Sequence, residues 1–253
     1  MSQCSPEHGT RIPFAIMTAA IAKAILDSGY ALLEPATVQQ QLDLQLHELQ
    51  RLRASWNNLA KDIHLRDGGS YRSRRHSCFV YMPATGSLTL VQHRAHWQPL
   101  DYNALHGGME RWFEPIASEL SEAPAWQQLL KAIGAALDAI CPVTHWYIEA
   151  HQFRIDTEAG IGRPTPEGAH RDGVDYVAIM LVERRHVRGG ETRVFEAHGR
   201  NGVRFTMLEP WTLLLLDDAR VIHETTPIQP AGQLGIRDTL VLTYRQHGFQ
   251  APG

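Results

Sequence analysis

His170 and Asp172, in the stretch Pro164-Thr165-Pro166-Glu167-Gly168-Ala169-His170-Arg171-Asp172-Gly173, form a His-x-Asp pair. In an extended backbone alternate side chains share a face, so the two would point the same way from backbones about 7 Å apart, close enough to hold one small cation. His223, 51 residues beyond Asp172, offers a third ligand. Two imidazoles and one carboxylate on one face of an octahedron leave three positions open, the donor set that suits a ferrous ion taking up a co-substrate and dioxygen together. The pair alone is weak evidence in a chain with 14 histidines. Glu149-Ala150-His151 is an equally good same-face pair, and Glu224 adjoins His223. Position favours the first triad. His170 and Asp172 lie between the loop residues Pro166 and Gly168 and an apolar run at 177–182, while His223 follows Asp217-Asp218 and the apolar run 213–216, and sites gather at such strand mouths.

Arg237 follows His223 by 14 residues, at the start of the last β-like run. Along that run Arg237, Thr239, Val241 and Thr243 share one face, and Asp238, Leu240, Leu242 and Tyr244 the other. An arginine and two threonines pack poorly inside a barrel. They would cradle a carboxylate well, because a guanidinium grips it through two parallel hydrogen bonds and a hydroxyl adds a third. An edge-strand arginine in solvent is the plainer reading. The basic aromatic cluster Tyr71, Arg72, Arg74 and Arg75 could likewise close over a small acid or be a solvated strand face. His93 and His96, with no carboxylate in register, read as surface histidines.

The elements that must position these groups divide the chain. Over 253 residues with 43% hydrophobic and 20% charged, one domain is expected, with a helical scaffold at 1–62, a loop-rich and helical region at 63–142, and the main strands at 143–248. Residues 14–26 repeat apolar side chains at helical spacing from Phe14 through Met17, Ile21 and Ile25, and Gly29 ends them; the segment is too short to span a bilayer. A capping box at Thr37 and Gln40 opens a stripe from Val38 to Leu59, read as one packing helix. Residues 103–120 read as a broken helix, and Ser121 as the cap of a helix with Pro124 in its first turn. From residue 145 onward, short strands punctuated by Gly and Pro with no helices between them imply an antiparallel sandwich or jelly roll.

A net charge of −3 with scattered arginines offers no field for nucleic acid or anionic membrane. Three cysteines without metal spacing, Cys4, Cys78 and Cys141, fit a reducing cytoplasm.

In order and spacing, His170-Arg171-Asp172, then His223, then Arg237 resembles the Fe(II)/2-oxoglutarate-dependent dioxygenases. Gln152-Phe153-Arg154-Ile155, the stretch 164–173, Gly189-Gly190-Glu191-Thr192, His223-Glu224-Thr225-Thr226-Pro227-Ile228 and Arg237-Asp238-Thr239-Leu240 are similar to the bacterial L-isoleucine dioxygenase-like branch of free amino-acid hydroxylases. Tyr71-Arg72-Ser73-Arg74-Arg75 and the run from Asn103 to Pro115 resemble it too, so the likeness covers about residues 60–246.

The resemblance implies an all-β core with flanking helices, a double-stranded β-helix of cupin-like jelly-roll form. It implies Fe(II) on His170, Asp172 and His223, and 2-oxoglutarate with its far carboxylate on Arg237, helped by Thr239 or Thr226. With O2, 2-oxoglutarate is decarboxylated to succinate and an unactivated C–H is hydroxylated. The expected substrate is a free L-amino acid, aliphatic or cyclic, of the isoleucine, leucine or pipecolic acid type. Its carboxylate needs a cation, Arg72 or Arg74, and its ammonium an anion, Glu167 or Asp175, though each is also an ordinary structural residue. A zinc hydrolase would use the same triad but lacks a placed general base, and leaves Arg237 without a purpose. The same residues would also suit a non-catalytic cupin-like binder, or an oxygenase acting on a carrier-bound or peptide substrate.

Overall fold

The computed structural model describes residues 14–103 and 105–252, so Cys4 lies outside the described residues. Helix α1 (Phe14–Ser28) ends where Gly29 takes φ 79° and its N–H reaches the Ile25 carbonyl at 2.8 Å, and strand β1 (Tyr30–Leu33) follows at once. The stripe from Val38 to Leu59 is buried in part as expected, but it is not one helix. Glu34, not Thr37, is the N-cap, with Pro35 in the first turn of α2 (Pro35–Leu42); Asp43 at φ 50° then breaks the chain before α3 (Leu46–Leu52) and a 3-10 turn at Arg53–Asn58. A left-handed residue turns the axis while the apolar face stays inward, which periodicity alone cannot register.

Within the region expected to be loop-rich and helical, strand β2 (Arg72–Met82) runs eleven residues and pairs with β3 (Ser87–Leu90). Among the described residues, 103 and 105–117 form no helix. The segment folds back on the chain instead, pairing Arg111 with His96 by two backbone hydrogen bonds, and only α4 (Ser118–Ser121) is helical before α5 (Pro124–Asp138). Ala123, not Ser121, is the N-cap of α5.

The remaining strands are β4 (Trp146–Asp156), β5 (Tyr176–Arg185), β6 (Val187–Gly189), β7 (Thr192–Glu196), β8 (Gly202–Phe205), β9 (Leu213–Asp217), β10 (Val221–Thr225), β11 (Ile228–Pro230) and β12 (Ile236–Arg245). Seven strands form one antiparallel sheet in the order β1-β9-β5-β12-β4-β2-β3, and β10-β7-β8 and β11-β6 form two smaller sheets. This is the mostly antiparallel, helix-flanked architecture expected.

Period-two alternation assigns the two faces of the large sheet. Ala178, Met180 and Val182 of β5, Leu240, Leu242 and Tyr244 of β12 and Trp146 and Ile148 of β4 pack with Trp126, Leu129, Leu130 and Ile133 of α5 and with Ile25, Val38 and Trp56 in one core. The opposite face is divided. Val177, Ile179 and Leu181 of β5 and Leu214 and Leu216 of β9 meet Val194 of β7 and Val221 of β10 in a second core, so the small sheet closes over that end. At the other end the same face carries charged and polar side chains instead, and that end is the site. Among the described residues no helix is long and apolar enough to cross a membrane.

Candidate active site

Three consecutive strands order the charged end of the inner face. Arg72, Arg74 and His76 of β2 stand opposite Ile155, Phe153 and His151 of β4, which in turn stand opposite Arg237, Thr239 and Val241 of β12. Two strand spacings, about 10 Å, therefore separate the β2 arginines from Arg237. The triad faces this wall from the other side: His223 lies on β10, and His170 pairs with it through backbone hydrogen bonds of 3.1 and 2.9 Å. His170, Asp172 and His223 present ligand atoms all within 4.8 Å of one another.

His170 and Asp172 are held in the form a metal needs, whereas the buried Nδ1 of His223 has no hydrogen-bond partner. The His170 Nδ1–H donates to the Gly168 carbonyl at 2.9 Å, which leaves Nε2 with its lone pair 3.9 Å from Asp172 Oδ1. His223 Nε2 lies 3.8 Å from Asp172 Oδ2. Asp218 accepts the backbone N–H groups of Asp172, Gly173 and Val174 at 2.9, 2.8 and 3.1 Å and so fixes the turn. Gln98 fixes the carboxylate: its Oε1 accepts from Asn103 Nδ2 at 3.1 Å and Arg111 Nη2 at 2.9 Å, so its amide can only donate to Asp172 Oδ1, at 3.0 Å. An extended strand is not what joins His170 to Asp172, since only His170 makes a bridge.

Arg237 is buried, with Nε and Nη2 lacking any partner. Burial and the nearby Arg184 guanidinium lower its pKa to about 10, which leaves it cationic at neutral pH. A buried, uncompensated guanidinium costs several kcal/mol, and a carboxylate with two oxygens is the group that removes that cost. Thr239, Thr243 and Thr225 line the same cavity. Thr226 does not: alternation along β10 turns it away, and its Oγ1 accepts the Glu191 N–H at 2.9 Å. Thr225, two residues on from His223, takes the inward place.

Arg72, Arg74 and Glu167 line the cavity beside the triad, Glu167 Oε1 lying 3.5 Å from His170 Nε2. Asp175 lies apart. Its carboxylate accepts both from the Gln246 backbone and from the Gln246 side chain, at 2.9 Å each, in a groove it shares with Tyr102 and Arg171. Arg75 points out of the cavity and pairs with Glu114 at 2.9 Å. His93 is exposed, but His96 is buried in the cavity wall, a correction that follows from the pairing of 96 with 111.

His96 joins a group that sequence order conceals. Glu149 Oε2 accepts from His76 Nε2 at 3.0 Å and His96 Nδ1 at 2.6 Å, and His151 Nε2 lies 3.9 Å away. Arg74 Nη2 donates to His151 Nδ1 at 2.6 Å, so Nε2 keeps the hydrogen of that ring. A metal ion there would need the lone pair of Nε2 as well and would sit beside a guanidinium. The four side chains are better read as a hydrogen-bonded buttress for Arg74, whose planar head is also held between Phe113 at 3.8 Å and Phe153 at 4.4 Å. The Glu149–His151 pair is visible in sequence; Arg111, Gln98 and His96 carry no signal except their place in or near the run from Asn103 to Pro115.

The model of the 2OG-Fe dioxygenase family matches residues 53–243. The chain belongs to that family. This dioxygenase is accordingly an oxidoreductase that uses Fe(II), 2-oxoglutarate and O2, and its His/Asp/His site has the donors that iron requires. It is 54% identical to a solved bsmA homolog from Methylobium petroleophilum PM1, with a TM-score of 0.89 over 93% of this chain and 96% of that one. IDO from Bacillus thuringiensis is 16% identical with a TM-score of 0.74 over 98% and 100% of the two chains. The Fe(II)/α-ketoglutarate-dependent dioxygenase TqaL is 19% identical with a TM-score of 0.69 over 92% and 89%. These two likenesses show the fold. No curated protein matches the dioxygenase.

Proposed function

We propose that this dioxygenase hydroxylates a free L-amino acid, with His170, Asp172 and His223 holding the iron and Arg237 holding the far carboxylate of 2-oxoglutarate. The observation that carries the reading is one cavity lined by a cation wall on β2, an anion at Glu167 and the triad. A zwitterion fits that charge pattern: its carboxylate belongs on Arg74 and Arg72, and its ammonium at the unpartnered Glu167 Oε2.

Bound Fe(II) and 2-oxoglutarate supply the oxidising power, with O2 as the oxidant. The chain's own residues supply position. Arg237 and Thr239 would hold 2-oxoglutarate, Gln98 stops the Asp172 carboxylate from turning, and Asp218 fixes the backbone that carries it. Arg74, fixed by two aromatic faces and by His151, has little side-chain entropy left to lose when it grips a carboxylate. Ile179 and Val241 beside the triad keep water from the reacting C–H.

Incubation with Fe(II), ascorbate, 2-oxoglutarate and a panel of free amino acids, read by mass spectrometry, tests this. A +16 product formed with matching succinate is expected. No +16 product from any proteinogenic or common non-proteinogenic amino acid would sink the reading. A metal hydrolase would release no succinate, and a non-catalytic binder would keep its ligand affinity in Asp172→Ala.

A further inference from the structure

The β2 side of the cavity gathers three buried guanidiniums, each with a donor to spare. Arg72, Arg74 and Arg111 are all buried in the cavity wall, and each has an N–H with no partner: Arg72 Nη2, Arg74 Nε and Arg111 Nε. Buried donors without partners are rare in native proteins and mark places where a ligand or water completes the set. Among the described residues the carboxylate that pairs with this trio is Asp62, 2.7 Å from Arg72 Nε and 3.9 Å from Arg74 Nη1. Arg111 has no ion pair at all there; its one side-chain bond is to the neutral Gln98. Glu149 accepts from two imidazoles; it and Glu167 act on Arg111 through space, but neither makes an ion pair with any of the three arginines.

The apolar part of the wall is correspondingly small. Phe153 is covered by the Arg74 and Arg72 guanidiniums, at 4.4 and 5.7 Å from its ring, and Ile155 packs with Tyr71 and Ile228. Ile179 belongs to the second core, with Val241 packed against it. A branched alkyl side chain would thus meet mostly guanidinium, imidazole and amide groups, which lose hydration to it and gain nothing.

We propose that the substrate is an amino acid with a second acidic group, its α-carboxylate on Arg74 and Arg72 and its side-chain acid on Arg111. This rests on the amino-acid reading above and replaces the aliphatic side chain expected from resemblance. Because Arg111 also donates to Gln98, which donates to Asp172, the acid group would dock on the far end of the hydrogen-bond chain that holds an iron ligand. Arg111 is then a specificity-determining residue that separates acids from their amides.

The test compares L-aspartate, L-glutamate, L-2-aminoadipate and O-phospho-L-serine with L-asparagine, L-glutamine, L-isoleucine, L-leucine and L-pipecolate. Two quantities are read: kcat/KM for +16 product with succinate release, and the anaerobic rise in melting temperature with Fe(II) and 2-oxoglutarate present. At least one acid should exceed its amide and the aliphatic amino acids by tenfold or more, and should stabilise the protein where they do not. In Arg111→Gln the acid-to-amide ratio should fall at least tenfold. Preference for O-phospho-L-serine supports the second acidic group and makes it a phosphate. Preference for a neutral amino acid overturns this inference and leaves the amino-acid reading standing, whereas neither product nor stabilisation from any of the panel overturns both. The wild-type stabilisation data decide the matter even if Arg111→Gln fails to fold.

Discussion

Arg237 is held in the protein at a cost to the empty fold, and removing it should act in opposite directions on stability and binding. Arg237→Met should raise the melting temperature of the metal-free protein, because a buried cation without a counter-ion is replaced by an apolar side chain of similar length. The same change should weaken 2-oxoglutarate binding by about a hundredfold, since two charge-assisted hydrogen bonds are worth roughly 3 kcal/mol together. Differential scanning calorimetry and anaerobic 2-oxoglutarate titration read the two effects, and a fall in both would remove the arginine from the site. The inward turn of Arg237 was legible in sequence because strand alternation is strict and Leu240, Leu242 and Tyr244 identify the opposite, core-facing side. The identity of its hydroxyl neighbour follows from the same rule, since Thr225 stands two residues on from the ligand His223 and Thr226 three, but the resemblance pointed to Thr226.

At the scale of elements, the site depends on how the smaller sheets are anchored over the large one. Gly189, the last residue of β6, pairs with Ile228 of β11 at φ 77°, and a Cβ there would lie 2.3 Å from the Pro227 carbonyl oxygen. Gly189→Ala should therefore disrupt that pairing and destabilise the protein by about 1–3 kcal/mol in urea unfolding, since backbone cannot move aside as a side chain can. An unchanged unfolding midpoint would mean the turn tolerates a side chain. On the outer face Trp126→Ala should cost about 3–5 kcal/mol, because α5 fills the core behind β4 and β12 with that ring. Strands rich in β-branched and apolar residues were readable one by one. The segment 103–117 was not, because its shape comes from pairing with His96 and not from its own periodicity. Three buried polar residues of the site, Gln98, His96 and Arg111, were lost with it.

Across the whole molecule, buried charge makes the fold sensitive to acid. Burial pushes His96 down to about 4 and lowers His76 and His151 as well, so the native state refuses protons that an unfolded chain accepts from about pH 6.5 downward. The histidine contribution to stability is full above that pH and is lost as pH drops from 6.5 to 4, by about 3 kcal/mol for His96 alone. His106, also pushed down to about 4, and His223 act in the same sense, making five histidines; His170, raised by Asp172 and Glu167 despite its burial, and Asp218, which burial and the Asp172 charge push up to about 7, act in the opposite one. Urea midpoints at pH 7.5, 6 and 4.5 on metal-free protein give the sign. A flat profile would mean these histidines are not buried neutral. The central claim is that three side chains from two separate parts of the chain hold one iron. Anaerobic titration of Fe(II) in the presence of 2-oxoglutarate, on the wild type and on Asp172→Ala, tests it most directly. The account predicts one ion bound per chain in the wild type and loss of that binding in the variant with the fold intact by circular dichroism; equal binding in both would contradict it.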